Sequence, residues 1–247
     1  MKHLFFVVLL CNLTCAAPKP IDPDIWRPRP GEELGDRIPG PLKNFGPFDS
    51  FADALEAACP RILTKPNATM LHLLGNNSNP DRQDLKTALR FATEYCDWLY
   101  YTPDHKYKLS MISNLEEPGD DLNMTATCKL PPSVDDPAYS PNSIKYIFYL
   151  HNHPFAGELS DRDINLAVEM ANAHELVVDT KNQKVPFAVI AFFSNARDGE
   201  KPTCDGFYQY IPATRELLRW TQSEGHWKGT KTGIVIWESP TQFTIMR

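Results

Sequence analysis

The sequence predicts a mixed α/β (α+β) fold, a β-sheet flanked by helices, forming a single domain behind a proline-rich N-terminal leader. Three observations lead there. Segments with helical spacing intermix with β-rich segments along the chain instead of segregating. Residues 186–194 (PFAVIAFFS) form a continuous apolar run, as expected of a strand covered on both faces. Eight prolines fall between residues 18 and 47, where repeated fixed φ and missing N–H donors exclude a helix or a central strand.

The elements follow in chain order. Residues 1–17 read MKHLFFVVLLCNLTCAA. A basic start (Lys2, His3), an apolar stretch from Leu4 to Leu10 and then small residues is the layout of a secretory signal peptide. Cleavage after Ala16 puts Thr14 at −3 and Ala16 at −1, so residues 1–16 are read as signal. A lipid-anchored form through Cys11 or Cys15 ranks second, because neither follows the usual Leu-small-small pattern. Residues 17–47 are the extended leader, which either dangles or wraps the domain, and residues 48–247 are the folded domain of about 200 residues.

Ser50 followed by FADALEAAC predicts a capped helix with Phe51, Leu55 and Ala58 on one face. Pro80-Asp81 opens a second helix, with Leu85, Ala88, Leu89 and Ala92 at helical spacing. The period then changes. Residues 98–102, a turn at Pro103-Asp104-His105, and residues 107–113 predict a β-hairpin. Residues 114–143 read as a long loop containing Cys128, and residues 143–153 (SIKYIFYLHNH) as a strand. Residues 160–175 return to helical spacing through Ile164, Ala167, Val168 and Ala171. After the apolar strand come a helix near residues 214–220 and two strands, 233–239 and 242–247.

Composition narrows the function. With 25 Lys and Arg against 31 Asp and Glu the net charge is −6, and removing residues 1–16 takes away Lys2 alone and leaves −7. That balance argues against a nucleic-acid partner. No apolar run reaches the ~18 residues of a membrane span. Export makes the cysteines informative: Cys59, Cys96, Cys128 and Cys204 remain, an even number in an oxidising compartment, extracellular or periplasmic. Two disulfides are expected, with three connectivities open. A zinc-thiolate site is disfavoured, since no two of these cysteines lie closer than 32 residues. Asn67, Asn76 and Asn123 head N-x-S/T triplets, acceptors only if the source glycosylates its secreted proteins.

The stretch that carries chemistry runs from Tyr149 to Asp163, YLHNHPFAGELSDRD. His151 and His153 are two apart at a strand end, so both imidazoles project from the same face. Pro154 stops the strand and Gly157 permits a tight return. Asp163 lies one turn inside the next helix and can point back toward the histidines. Two His and one Asp are three ligands for a borderline-soft dication such as Zn²⁺, with a fourth position for water, as in catalytic zinc sites. Each piece also has a plain structural reading. Ser160 to Asp163 is a helix N-cap with an acid at N3, and the histidines could be exposed polar residues. The joint pattern is much harder to obtain by chance, and cap and ligand roles are compatible.

At these residues the sequence resembles the JAB/MPN (JAMM) metallopeptidase family, in a secreted bacterial-type form. Its fingerprint is an upstream Glu, then H-x-H-P, then S-x-x-D. His151-Asn152-His153-Pro154 matches in full, while six residues separate His153 from Ser160 where seven are usual. Residues 93–100 (TEYCDWLY) look like the family's helix-to-strand junction, with Cys96-Asp97 where bacterial relatives often carry Gly-Gly. The likeness covers roughly residues 81–194. It implies a JAB/MPN-like sheet and a zinc hydrolase of peptide or isopeptide bonds. In that reading His151, His153 and Asp163 hold zinc, Glu94 takes a proton from the attacking water and returns it to the leaving amine, and Ser160 donates to the oxyanion. Glu116, Glu117 and Glu158 are the other acids near in sequence.

Further expectations accompany the resemblance. Cys96 pairs with Cys128, stapling the Glu94 junction to the loop before the histidine strand, which leaves Cys59 with Cys204. The partner is a peptide or protein, and export makes ubiquitin a poor candidate. Trp98, Tyr100, Tyr101 and Phe155 are candidate groove residues, although such aromatics are more often core. Other families fit less well. HNH nucleases spread their histidines over a ββα unit, amidohydrolase barrels need more chain and more ligands than His174 and His226 offer, and zinc deaminases need a P-C-x-x-C that is absent. The rival in a different class is an inactive JAMM-like module that binds an extracellular peptide or protein.

Overall fold

The computed structural model describes residues 22–28, 35–70, 88–116, 128–196, 201–223 and 226–247 of the 247-residue chain. The expected signal peptide lies outside these residues, as do Asn76 and Asn123 and most of the helix expected from Pro80. Of that helix only Ala88 and Leu89 are described, and they are helical.

After the short strand β1 (Arg37–Pro39), Ser50 caps helix α1 (Phe51–Leu63), its hydroxyl accepting the Asp53 N–H at 3.1 Å. Ala54, Leu55, Ala58, Ile62 and Leu63 form the buried stripe of that helix. The anticipated hairpin is β2 (Cys96–Tyr101) with β3 (Tyr107–Leu109), antiparallel. The histidine strand is β7 (Lys145–Asn152), helix α2 spans Asp161–Ala173, and the continuous apolar strand is β10 (Ala188–Phe193). Strand β11 (Gly206–Ile211), β12 (Glu216–Ser223), β13 (His226–Ser239) and β14 (Gln242–Met246) complete an eight-stranded sheet, ordered β14-β13-β12-β11-β10-β7-β2-β3.

Within that sheet only β7 and β10 run parallel, and α2 lies in the connection between them. A parallel pair requires such a crossover, which is how the helix start bearing Ser160 and Asp163 returns to the end of the histidine strand. α1 covers one face, packing with Leu99, Phe148, Ile190 and Phe192. α2 covers the other through Ile164, Ala167 and Ala171, against Trp98, Tyr149, Val189 and Tyr210. β2, β7 and β10 are buried almost end to end, because helices cover them on both faces. The result is a mixed α+β architecture of three layers.

The described parts of the leader wrap the domain. Ile25 bridges Ile112, Leu42 N–H donates to the Leu109 carbonyl at 2.7 Å, and Phe48 bridges Tyr107, so the leader covers the β3 edge. Asp24 pairs with Arg61 at 2.5 Å and with Lys65 at 2.6 Å, tying this strap to α1. Ile38 and Leu42 are buried in the leader, which therefore contributes to the core from ahead of Phe48.

Several expectations need correction. The helix anticipated near residues 214–220 is strand β12, paired with β11 on one side and β13 on the other. Thr214 and Arg215 instead close the β11–β12 turn, with Arg215 at φ 61°. Leu217 packs into the α2-side core and Leu218 and Trp220 against the α1 side, so the strand alternation that two ladders demand overrides a weak helical spacing. The loop 114–143 contains short strands β4 (Leu115–Glu116), β5 (Cys128–Lys129) and β6 (Ser133–Asp135), the last pairing with β1. A small hairpin, β8 (Val177–Asp179) with β9 (Lys184–Pro186), follows α2. Both disulfides join the cysteines as expected, Cys96 to Cys128 and Cys59 to Cys204.

Candidate metal centre

β7 pairs with β2 on one side and β10 on the other, so His151 sits opposite both Cys96 and Ala191. The ladder continues one step past the strand, His153 N–H donating to the Phe192 carbonyl at 2.8 Å. Pro154 then removes a donor and ends the pairing. Strand alternation turns His151 and His153 to the α2 face and Asn152 to the α1 face. Both imidazoles are nearly enclosed, at 2% and 9% exposure.

The six-residue connection brings the α2 start directly over these rings. Its left-handed residue is Ala156, at φ 55°, whereas Gly157 supplies a carbonyl that accepts from His153 Nδ1 at 2.7 Å. Ser160 caps α2, and Asp163 at N3 completes a capping box. Asp163 Oδ1 lies 3.3 Å from His151 Nε2, and Oδ2 lies 3.4 Å from His153 Nε2. The two Nε2 atoms are 3.0 Å apart. The shorter loop therefore still delivers the carboxylate to both histidines.

These spacings fit a cation. Zinc ligand arms of ~2.0–2.1 Å at tetrahedral angles separate their donor atoms by ~3.3 Å. One ligand atom from each of the three residues falls in a single group whose members lie within 4.8 Å of one another. The Gly157 carbonyl holds the proton of His153 on Nδ1 and leaves Nε2 facing the carboxylate, the arrangement that orients metal-binding histidines. For His151 the Ile190 carbonyl on β10 is the nearby acceptor, although Nδ1 completes no hydrogen bond among the described residues.

Electrostatics at the cluster are strongly perturbed. Burial favours the uncharged Asp163, yet the charges and hydrogen bonds of the two imidazoles hold its carboxyl well below the usual range. Burial also works to deprotonate both histidines. It prevails at His151, whose pKa falls, while at His153 the hydrogen bond and charge of Asp163 overcome it and push the pKa up to about 9. The Asp163 carboxylate and a protonated His153 thus balance one another, and a cation binding between the three side chains would displace that proton.

Glu94 stands just before β2 and lines the same pocket, of about 180 Å³, as the three candidate ligands. Burial pushes its carboxyl up to about 8; the His153 charge opposes this, Asp163 adds to it, and a backbone hydrogen bond from Cys128 opposes it again. Of the other acids, Glu158 also lines the pocket, but its carboxylate is exposed and bonded to Arg247 at 2.6 Å. Glu117 lies outside the described residues. Ser160 is at the pocket, with its hydroxyl donating to Asp163 Oδ2 at 2.8 Å.

Among the aromatics, Phe155 lines the pocket, while Trp98, Tyr100 and Tyr101 are core. His174 is away from the cluster, stacked on Tyr146 at 4.0 Å. Sequence reasoning missed Leu89, Tyr149, Arg162 and Leu166 in the pocket wall. For Arg162 and Leu166 a signal exists, since Leu166 lies three residues after Asp163 and four after Arg162, at helical spacing. The role of Asn152 was also missed: its amide bonds backbone groups on the far side of the strand. No family model, curated protein or solved structure matches this chain, so a family assignment rests on the fingerprint residues alone.

Proposed function

We propose that the protein is a secreted zinc-dependent hydrolase of the JAB/MPN (JAMM) type that cleaves peptide or isopeptide bonds. The observation that carries this reading is the convergence of His151 Nε2, His153 Nε2 and the Asp163 carboxylate at tetrahedral-edge spacing inside an open pocket. Two disulfides fit an oxidising compartment, and no helix among the described residues is long and apolar enough to cross a membrane.

Zinc at this position supplies Lewis acidity, which makes a water nucleophilic near neutral pH and polarises a carbonyl. The remaining work belongs to the chain. Glu94, which lines the same pocket, would accept a proton from the attacking water and return it to the departing amine; a dication held by the neighbouring side chains would favour its charged form against the burial that raises its pKa. Ser160 holds Asp163 in its ligand orientation. Leu89, Phe155 and Leu166 offer apolar surface to a substrate side chain, with Glu158 and Arg162 as charged groups at the same pocket.

A second reading, a JAMM-like module that binds a peptide or protein without cleaving it, draws on one observation. The Ser160 hydroxyl proton is directed at Asp163, so it is not aimed at an oxyanion. Metal analysis and a peptidase screen separate the two. Mature protein should carry one zinc per chain, lose it on His151→Ala, and cleave a peptide at a rate lowered roughly 10²–10⁴-fold, to a measurable remainder, by Glu94→Ala. Zinc content unchanged by His151→Ala would overturn the site, and zinc without hydrolysis would select the binding module.

A further inference from the structure

Between the two histidines, Asn152 faces the opposite side of β7 and is fully buried. Its side-chain amide reaches three backbone groups. Oδ1 accepts from the Tyr95 N–H at 2.7 Å, and Nδ2 donates to the Thr93 carbonyl at 3.1 Å and the Ala68 carbonyl at 2.7 Å. Thr93 and Tyr95 are the residues on either side of Glu94. One side chain therefore grips both peptides that flank Glu94, at a place where the backbone has left its helix and not yet entered β2.

A few other bonds hold this segment: the Tyr95 hydroxyl donates to the Pro66 carbonyl at 2.8 Å, and the Cys128 backbone bonds the Glu94 carboxyl. Thr93 N–H bonds the Asn67 carbonyl at 3.0 Å, and regular ladder pairing with β7 begins only at Cys96. The amide of Asn152 uses its acceptor and both of its donor hydrogens in matched directions, which neither Asp nor Leu of similar size reproduces. Because successive strand residues alternate faces, the strand end that aims His151 and His153 at the cluster also aims Asn152 at the Glu94 segment. The register of ligands and carboxyl group is thereby set by three consecutive residues.

We infer that Asn152 is the positioning residue for Glu94, locking its carboxyl against the His151–His153–Asp163 cluster; the catalytic consequence rests on the hydrolase reading above. Removing the grip frees the 93–95 segment while leaving the ligands on the other face untouched. A misplacement of the proton-transfer group by about 1 Å lowers turnover by roughly 10²-fold. Substrate binding by the pocket wall does not depend on Glu94, so the loss falls on kcat.

The test compares mature full-length wild type with Asn152→Ala, Asn152→Asp, Glu94→Ala and the Asn152→Ala/Glu94→Ala double variant. Asn152→Asp keeps size and the acceptor for Tyr95 but lacks the donors to Thr93 and Ala68, so it reports on the grip if the alanine variant does not fold. Three readouts are taken: zinc per chain, amide exchange resolved at Tyr95 and His151, and kcat and KM on a peptide from the screen. The expected result is unchanged zinc, exchange at Tyr95 roughly tenfold faster in Asn152→Ala with His151 unchanged, and kcat down roughly 10²-fold at constant KM in both Asn152→Ala and Asn152→Asp. Asn152→Ala should add nothing in the Glu94→Ala background. Equal losses in both backgrounds, loss of zinc, unaltered Tyr95 exchange in Asn152→Ala, or, should that variant not fold, an unchanged kcat in Asn152→Asp would overturn the inference. Wild type that holds zinc yet cleaves nothing removes the hydrolase reading alone, and the exchange result still decides whether Asn152 holds the Glu94 segment.

Discussion

Ser160 and Asp163 hold one another through three hydrogen bonds. Ser160 Oγ accepts from the Asp163 N–H at 3.3 Å, while Asp163 Oδ2 accepts from the Ser160 N–H at 2.7 Å and from its hydroxyl at 2.8 Å. The helix cap and the aim of the Asp163 carboxylate at His151 and His153 are one device. Ser160→Ala is therefore expected to destabilise the fold by about 1 kcal/mol through the lost cap and to weaken zinc binding by roughly 10- to 100-fold through the lost support of Asp163. Competitive chelator titration reads the affinity. Unchanged affinity with a fall in kcat alone would show that the hydroxyl acts on the substrate instead.

Asp97 is the buried polar group without a stated purpose. It stands on β2 opposite Leu150, fully enclosed, and its Oδ1 has no hydrogen-bond partner among the described residues. Burial raises its pKa well above the ordinary 3.8, so the folded state binds a proton that the unfolded state has released. The associated stability is complete below the unfolded pKa and disappears as pH climbs toward and through the folded one. Asp97→Asn should match wild type at pH near 4 and exceed it increasingly at higher pH, by at most about 1.4 kcal/mol per pH unit. Denaturant melts across that window check the sign, and a variant equally affected at every pH would rule out the buried-proton account.

The legible parts of this chain are those whose signal is local. Helix α2 announces itself by Ser160, Asp163 and the Ile164, Ala167, Ala171 stripe, and β7 by a β-rich run stopped at Pro154. The His151–His153–Asp163 cluster follows because a period of two and one helical turn fix its members relative to one another. What stays hidden depends on distant partners. Asn152 meets Tyr95 and Ala68 across sequence separations of 57 and 84, and no local pattern encodes such contacts. Strand β12 is illegible locally because the spacing of Leu217, Leu218 and Trp220 suits either period over so short a run. Only β11 and β13 on its flanks decide it. The leader's eight prolines exclude a helix or a central strand there, in keeping with the short strand β1 outside the main sheet, but wrapping rather than dangling is set by Ile25, Ile38 and Leu42 finding core sites.

The two disulfides are expected to differ in what they protect. Cys96–Cys128 closes a separation of 32 residues and ends at the amide that faces Glu94, whereas Cys59–Cys204 closes 145 residues and anchors α1 far from the pocket. Chain-entropy arguments give ~4 and ~5 kcal/mol respectively as upper values. Replacing the Cys96–Cys128 pair by alanines should lower stability by ~2–4 kcal/mol and reduce kcat with zinc retained. The Cys59–Cys204 replacement should lower stability with kcat unchanged at temperatures where it remains folded. Activity per folded molecule, measured beside thermal melts, distinguishes the two, and equal losses would mean that neither bridge acts on Glu94.

The strap formed by residues 22–28 should release in acid. Asp24 is the pivot, held by Arg61 at 2.5 Å and Lys65 at 2.6 Å while its backbone pairs with Ile112. Burial works against its charge, but the hydrogen bonds from Lys65 and Arg61 prevail and keep its pKa below 3.8. A depressed carboxyl pKa means that the pairing stabilises above the unfolded value and is lost as pH falls through the folded one. Local amide exchange over residues 22–28 should therefore stay slow at neutral pH and accelerate below about pH 4, before the β7 amides respond. Asp24→Asn should show that acceleration already at pH 7, with the pH dependence of this segment flattened. The same variant should leave zinc content intact, because Asp24 lies on the α1 side of the sheet, away from the α2 face that carries the histidines. Exchange at residues 22–28 that is insensitive to both pH and Asp24→Asn would transfer the anchoring role to Ile25 and the Ile112 backbone pairing.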